Sequence, residues 1–226
     1  MVSVAIDGPA GAGKSTLSRK LAQSLGYIYV DTGAMYRAVG LKLSRAGLCS
    51  DALDETEVSE ILKTTRVNIF YENGEQIVSL DGENVNGLIR TPEASMMASK
   101  CSALSVVRAF LLEMQRTLAR ENNVVMDGRD IGTVVLPNAE VKIFLTASVE
   151  ARAKRRYDEL VLKGEEVSLE EVTADVIKRD YNDTHRDIAP LKPSETSVIV
   201  DTTELDFEQS LQALKDTVEN ILEGAN

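Results

Sequence analysis

One stretch constrains this chain more than any other: Gly8-Pro9-Ala10-Gly11-Ala12-Gly13-Lys14-Ser15-Thr16. It satisfies G-x-x-x-x-G-K-[ST] at every fixed position and follows a short apolar run, Val2 to Ile6. The glycines let successive backbone N–H groups turn inward as an anion nest. A helix starting near Lys14 aims the positive end of its dipole at the same point. Lys14 is placed to reach β- and γ-phosphates, and the Ser15 hydroxyl to hold Mg²⁺. The plain alternative is a glycine-rich turn that happens to precede a helix. A strand before the loop and an amphipathic helix after it argue for a nucleoside triphosphate site over Gly8 to Thr16.

The surrounding pattern is α/β. Val2 to Ile6 is continuous and β-branched, as in a buried parallel strand. The next helix buries Leu17, Leu21 and Leu25 and stops at Gly26. A strand over Tyr27 to Val30 ends in Asp31-Thr32-Gly33, and a helix from about Ala34 to Arg45 closes at Gly47. Strand and helix alternating in this way predict a parallel sheet. Asp54 to Lys63 reads as a helix, after which Val67 to Val85 breaks the rhythm. Asn73-Gly74 and Asp81-Gly82 there are hairpin turns, so a three-stranded antiparallel insert is expected. Thr91-Pro92 caps a helix to about Cys101, followed by another over Ser105 to Glu121. Val124 to Met126, Val141 to Leu145 and Val198 to Val200 supply strands three to five. Two charged helices, Ser148 to Lys163 and the capping-box helix Ser168 to about His185, lie before the fifth. A last helix, Phe207 to Leu222, presents Leu211, Leu214, Val218 and Leu222 to the sheet.

The formal charge is −11, with 36 acidic against 25 basic residues. Nucleic-acid surfaces need a basic face, so no nucleic-acid partner is expected, and phosphate groups must be met by locally concentrated arginines. Cys49 and Cys101 have neither metal-ligand spacing nor a disulfide framework and read as reduced thiols. No basic leader and no run long enough to span a bilayer is present. The expectation is a cytoplasmic protein with no membrane partner. The single histidine, His185, excludes a His-rich metal site and reads as a solvated helical residue.

In an open parallel sheet, ligands sit beyond the carboxyl ends of the strands. Arg152, Arg155 and Arg156, at i, i+3 and i+4, share a helix face; so do Arg179, Asp183 and Arg186. They read either as a solvated surface with pairs such as Arg155–Glu159 or as arginines that close over a transferring phosphoryl group. Asp127 ends an apolar strand, either as an acid that orders water around Mg²⁺ or as a turn former before Gly128. Arg37 can present a bidentate fork to a second phosphate. Thr32 is suited to cap the Arg37 helix, to add a hydroxyl to that phosphate, or both.

Taken together, Gly8 to Thr16, Asp31-Thr32-Gly33-Ala34-Met35-Tyr36-Arg37, Ile89-Arg90-Thr91-Pro92-Glu93, Asp127-Gly128-Arg129-Asp130-Ile131-Gly132-Thr133 and Arg186 through Ala189-Pro190-Leu191 resemble the bacterial-type cytidylate kinases over nearly the whole chain. The resemblance implies a five-stranded parallel core over about 1–32, 122–147 and 190–226. It also implies a monophosphate-binding region with the β insert over about 33–121 and a helical lid over about 148–189. It implies transfer of a phosphoryl group from ATP to CMP or dCMP, with Mg²⁺; a monomer is expected. By position, Thr32, Arg37 and Arg129 resemble acceptor-phosphate contacts; Ser99, Arg108, Asp130 and Arg186 cytosine contacts; Arg179 and Asp183 ribose contacts. Arg152, Arg155 and Arg156 resemble the lid arginines, which with Lys14 would act on the transferring group.

A phosphate acceptor needs no general base, so positioning and charge neutralisation suffice. A related kinase for UMP, AMP or shikimate shares most of this reading, and the base-reading residues separate them. A GTPase switch is excluded by the lack of N-K-x-D, T-K-x-D and D-x-x-G elements.

Overall fold

In the computed structural model, which describes residues 1–49 and 53–224, the sheet is built from five short strands. Strands β1 (Ser3–Asp7), β2 (Ile28–Asp31), β6 (Val124–Gly128), β7 (Val141–Thr146) and β8 (Val198–Asp201) pair in the order β2-β6-β1-β7-β8. All four pairings are parallel. Successive residues of a strand point to opposite faces, and both faces are buried in β1, β2 and β6, whereas the edge strand β8 leaves Val198 and Ile199 exposed. Val4, Ile6, Val125 and Ile143 meet helices α1 (Lys14–Leu25) and α8 (Phe207–Gly224) on one side. Ala5, Val30, Val124 and Met126 meet α2 (Thr32–Arg45), α4 (Pro92–Cys101) and α5 (Ser105–Glu121) on the other. Burial on two faces is the reason β1 and β6 read as continuous apolar runs.

Register places the chemistry at one edge. Asp31 pairs with Asp127, which pairs with Ile6, so Asp7, Asp31 and Asp127 end three neighbouring strands at nearly one level.

The insert consists of β3 (Val67–Glu72) and β4 (Glu75–Leu80), antiparallel, with β5 (Glu83–Asn84). Asn73-Gly74 and Asp81-Gly82 all have positive φ, as the two hairpin turns require. The third strand is only two residues long: beyond it the Asn86 side-chain amide, not backbone, bonds Gln76 O and Val78 N. Val67, Val78, Leu80 and Val85 pack into the same apolar cluster as α2, so the insert shares the core of the sheet. Helix α3 (Glu55–Lys63) adds Val58 to that cluster.

Two details depart from expectation. Asp31, not Thr32, caps α2, because the strand ends extended at Asp31 and its carboxylate reaches Ala34 N at 2.8 Å. After β6 the chain makes a π-helical turn, Ile131–Val135, closed by Leu136 N to Ile131 O at 2.7 Å. Such turns have no sequence signature of their own and favour functional sites. Helices α6 (Val149–Leu162) and α7 (Leu169–His185) form the charged pair before β8.

Candidate active site

The phosphate loop leaves β1 with its glycines doing two different jobs. Gly8 lies against β7: a Cβ there would sit 2.0 Å from Leu145 O. Gly13 has φ +83° and turns the chain into α1, so the first-turn N–H groups face the loop. Lys14 is buried and donates to Pro9 O at 2.6 Å, its own loop holding the ammonium over the nest. Burial and the Arg129 charge push its pKa well down, an environment that a polyanion would reverse.

Each edge carboxylate has its own donors. Asp127 accepts from Ser15 Oγ at 2.9 Å and Tyr29 OH at 3.1 Å, and its carbonyl accepts from Thr32 Oγ1 at 2.7 Å. Burial, with Asp31 nearby, lifts its pKa to about 6 against the pull of Lys14. The turn-forming alternative for Asp127 falls away, since β6 continues through Gly128. Asp7 accepts from Ile131 N and Gly132 N, both at 2.7 Å, and so pins the π-helical turn. Burial lifts it to about 6 even though both N–H groups oppose the shift. Asp31 holds Arg37 at 3.0 Å and Arg90 at 3.5 Å.

The loop after β6 aims two neighbouring side chains at different partners. Arg129 Nε donates to Asp183 at 2.7 Å; burial opposes the Arg129 charge, and Asp183 more than offsets it. Asp130 pairs with Arg108 and lies 3.8 Å from Arg186. Burial raises the Asp130 pKa despite both cations. Ser99, half-buried on α4, follows Ala98 and Met97, which pack into the core. Arg179 has a buried Nε without a protein partner, as does Arg37, and burial together with Arg129 lowers the Arg179 pKa to about 10. Arg186 lies one residue past α7, where its Nε donates to Ala189 O at 2.7 Å. This is an excess of buried guanidinium donors converging near Lys14, which is what a dianion would satisfy.

The three arginines of α6 diverge. Arg152 is 4% exposed and donates to Ala147 O and Ala10 O, with a two-pronged pair to Asp180 at 3.1 and 2.6 Å. Arg155 reaches the turn after β8, donating to Thr202 and Leu205. The Arg155–Glu159 pair of the solvated-surface alternative is not formed, because those acceptors lie within its reach; Glu159 instead takes Arg156 at 2.8 Å and Lys163. His185 is exposed and stacks on Tyr181.

Sequence reasoning missed Asp7, Tyr29, Arg90 and Asp180. Asp7 carried the same signal as Asp127, an acid ending an apolar strand. Arg90 lay inside a recognised block, whereas nothing local marks Tyr29 or Asp180.

Comparison with known proteins agrees with this geometry. A family model described as cytidylate kinase matches residues 4–220. A cytidylate kinase of Caldicellulosiruptor bescii is 52% identical over 211 residues, covering 93% of this chain and 92% of that protein. One of Carboxydothermus hydrogenoformans is 50% identical, covering 95% and 96%. Among solved structures, an uncharacterised protein from Eubacterium ventriosum shares the fold with a TM-score of 0.51 at 12% identity, covering 97% of this chain and 98% of that one. With a phosphate loop at one end of the site, paired arginines at the other and relatives half identical across nearly its whole length, the chain belongs to the cytidylate kinase family.

Proposed function

We propose that the chain transfers the γ-phosphoryl group of ATP to CMP and dCMP, giving CDP and dCDP. The observation that carries this reading is the pairing of roles on adjacent residues. Arg129 stands with Asp183 near Lys14, while Asp130 stands between Arg108 and Arg186. The first pair suits a phosphate dianion and the ribose; the second suits a base with one amino donor and two acceptors.

In this reading the nest at Gly8 to Thr16 holds the triphosphate and Lys14 stabilises charge on the transferring group. Arg37, Arg129 and Thr32 receive the acceptor phosphate. Ser99, Arg108, Asp130 and Arg186 receive cytosine, and Arg179 with Asp183 the ribose. Arg152, Arg155 and Arg156 close from the lid, excluding water. The acceptor's phosphate oxygen attacks in line, so no side chain has to remove a proton.

The residues also fit Mg²⁺. A buried carboxylate hydrogen-bonded to a serine hydroxyl offers hard oxygen donors, and a cation beside Asp127 would offset the burial that raises its pKa. Ser15 would hold the ion and Asp127 would order its water, the few-ligand arrangement Mg²⁺ favours. Bound there, it neutralises phosphate charge.

The same reading extends to a monomer in the cytoplasm, without nucleic-acid or membrane partners. Support comes from the −11 charge and from the two free cysteines. Among the described residues, moreover, no single helix is long and apolar enough to cross a membrane. Measuring ADP formation from ATP with CMP, dCMP, UMP, AMP, GMP and dTMP tests the proposal. CMP and dCMP should be the preferred acceptors; comparable kcat/KM for UMP or AMP overturns it.

A further inference from the structure

Strand β2 is an edge strand: β6 covers one side, and the other side faces the insert. An uncovered edge leaves N–H and C=O groups without partners. Here side chains take the place of a sixth strand. Asp31 N donates to Gln76 Oε1 at 2.8 Å, and Gln76 Nε2 donates to Asp31 O at 3.3 Å. The carboxamide of Gln76 thus engages both backbone groups of one residue, as a peptide group of a neighbouring strand does. Tyr71 OH donates to Tyr29 O at 3.1 Å, two residues earlier on the same edge. Tyr71 and Gln76 are directly opposed across the β3–β4 hairpin, so both side chains leave the same face.

Gln76 is itself held. Asn86 Nδ2 donates to Gln76 O at 2.9 Å, and Asn86 Oδ1 accepts from Val78 N at 3.0 Å. Two amides in series therefore connect the insert to Asp31. Asp31 caps α2 through Ala34 N and holds Arg37 and Arg90 on one carboxylate oxygen. A peptide allowed to rotate at Asp31 would carry that carboxylate, and the Arg37 fork with it.

We propose that Gln76 is a positioning residue for acceptor-phosphate recognition: by fixing the Asp31 peptide it sets the aim of Arg37. The β insert is then a brace for the phosphate end of the acceptor site and does not read the base. This inference rests on the functional reading above, in which Arg37 receives the acceptor phosphate.

The test compares Gln76→Leu and Gln76→Glu with the parent, using steady-state kinetics and calorimetric binding of CMP and of cytidine, which lacks the phosphate. Gln76→Leu removes both hydrogen bonds and should raise KM for CMP about tenfold. KM for ATP and the dissociation constant for cytidine should stay within about twofold. Gln76→Glu keeps an acceptor for Asp31 N and should fall between parent and Gln76→Leu. A fastening role alone would lower Tm and leave the CMP-to-cytidine affinity ratio unchanged. An unchanged KM for CMP in a folded variant, or equal losses for CMP and cytidine, overturns the proposal. Should Gln76→Leu not fold, Gln76→Glu carries the same comparison. Failure of the parent to phosphorylate CMP would instead count against the functional reading, while the CMP-to-cytidine ratio still tests Gln76.

Discussion

On the β1–α1 side of the site, the groups aimed at phosphate are backbone N–H groups and one lysine, all within the nine residues Gly8 to Thr16. On the β2–β6 side the groups proposed for the acceptor, phosphate and base alike, are guanidiniums from different helices and loops, most already paired. Arg37 is with Asp31, Arg108 with Asp130 and Arg129 with Asp183. The first arrangement is set mainly by local φ angles, with Arg152 at Ala10 O and Asp127 at Ser15 supporting it from outside. The second buries cations in an acidic chain, and buried charge demands a counter-charge. In the function proposed above, the carboxylates hold the arginines until a phosphate and a base compete for them. On that reading, nucleotide binding is largely a local property of this fold and acceptor choice a tertiary one.

Lys14→Ala attacks the local side and should have the largest effect. The nest remains, so ATP binding should persist while kcat falls about 1,000-fold in a folded protein. Near-normal turnover would remove Lys14 from the transition state.

Asp127→Asn probes the seam between the two sides and should lower kcat by about 10- to 100-fold. Its effect on stability has the opposite sign. The Asp127 carboxyl is raised from 3.8 to about 6 on folding, so ionisation costs stability. Stability is full below 3.8 and is lost as pH rises through about 6. Asparagine removes that loss, on the order of 3 kcal/mol. Unliganded Asp127→Asn should therefore melt above the parent at pH 8 and with it near pH 4. A lower Tm at pH 8 would mean that the Ser15 and Tyr29 hydrogen bonds outweigh desolvation.

Asp130→Ala tests the tertiary side. Losing the acceptor for a cytosine amino group should shrink the CMP-to-UMP ratio of kcat/KM by about tenfold or more. Arg108 and Arg186 would lose their shared counter-charge as well, so CMP must suffer more than UMP for the assignment to hold. Equal losses would make Asp130 a scaffold for the two arginines.

The smallest effect separates arginines one residue apart. In kcat, Arg155→Ala and Arg156→Ala should both fall more than CMP affinity does, as lid residues require. In stability they should differ. Arg156 has a surface pair with Glu159, whose loss costs less than about 1 kcal/mol. Arg155→Ala forfeits hydrogen bonds to Thr202 and Leu205, about 1–3 kcal/mol. Thermal melts showing equal losses would mean that the α6 arginines are not divided in the way their contacts indicate.

What the sequence determined by itself is whatever depends on a few consecutive residues. The phosphate loop, the buried strands, the capping box at Ser168 and the positive-φ turns at Asn73-Gly74 and Asp81-Gly82 all follow from local φ preference and from apolar period. Only the tertiary structure decided which charge meets which. Arg129 finds Asp183 across 54 positions, Arg108 finds Asp130 across 22, and Gln76 finds Asp31 across 45. Arg155 bypasses Glu159, its helical neighbour, for the turn after β8. Helical spacing offers a charged side chain several partners of similar energy, each worth a few tenths of a kcal/mol. Packing of the sheet, the insert and the α6–α7 pair decides among them, because it sets which acceptors are within reach and which are out of water.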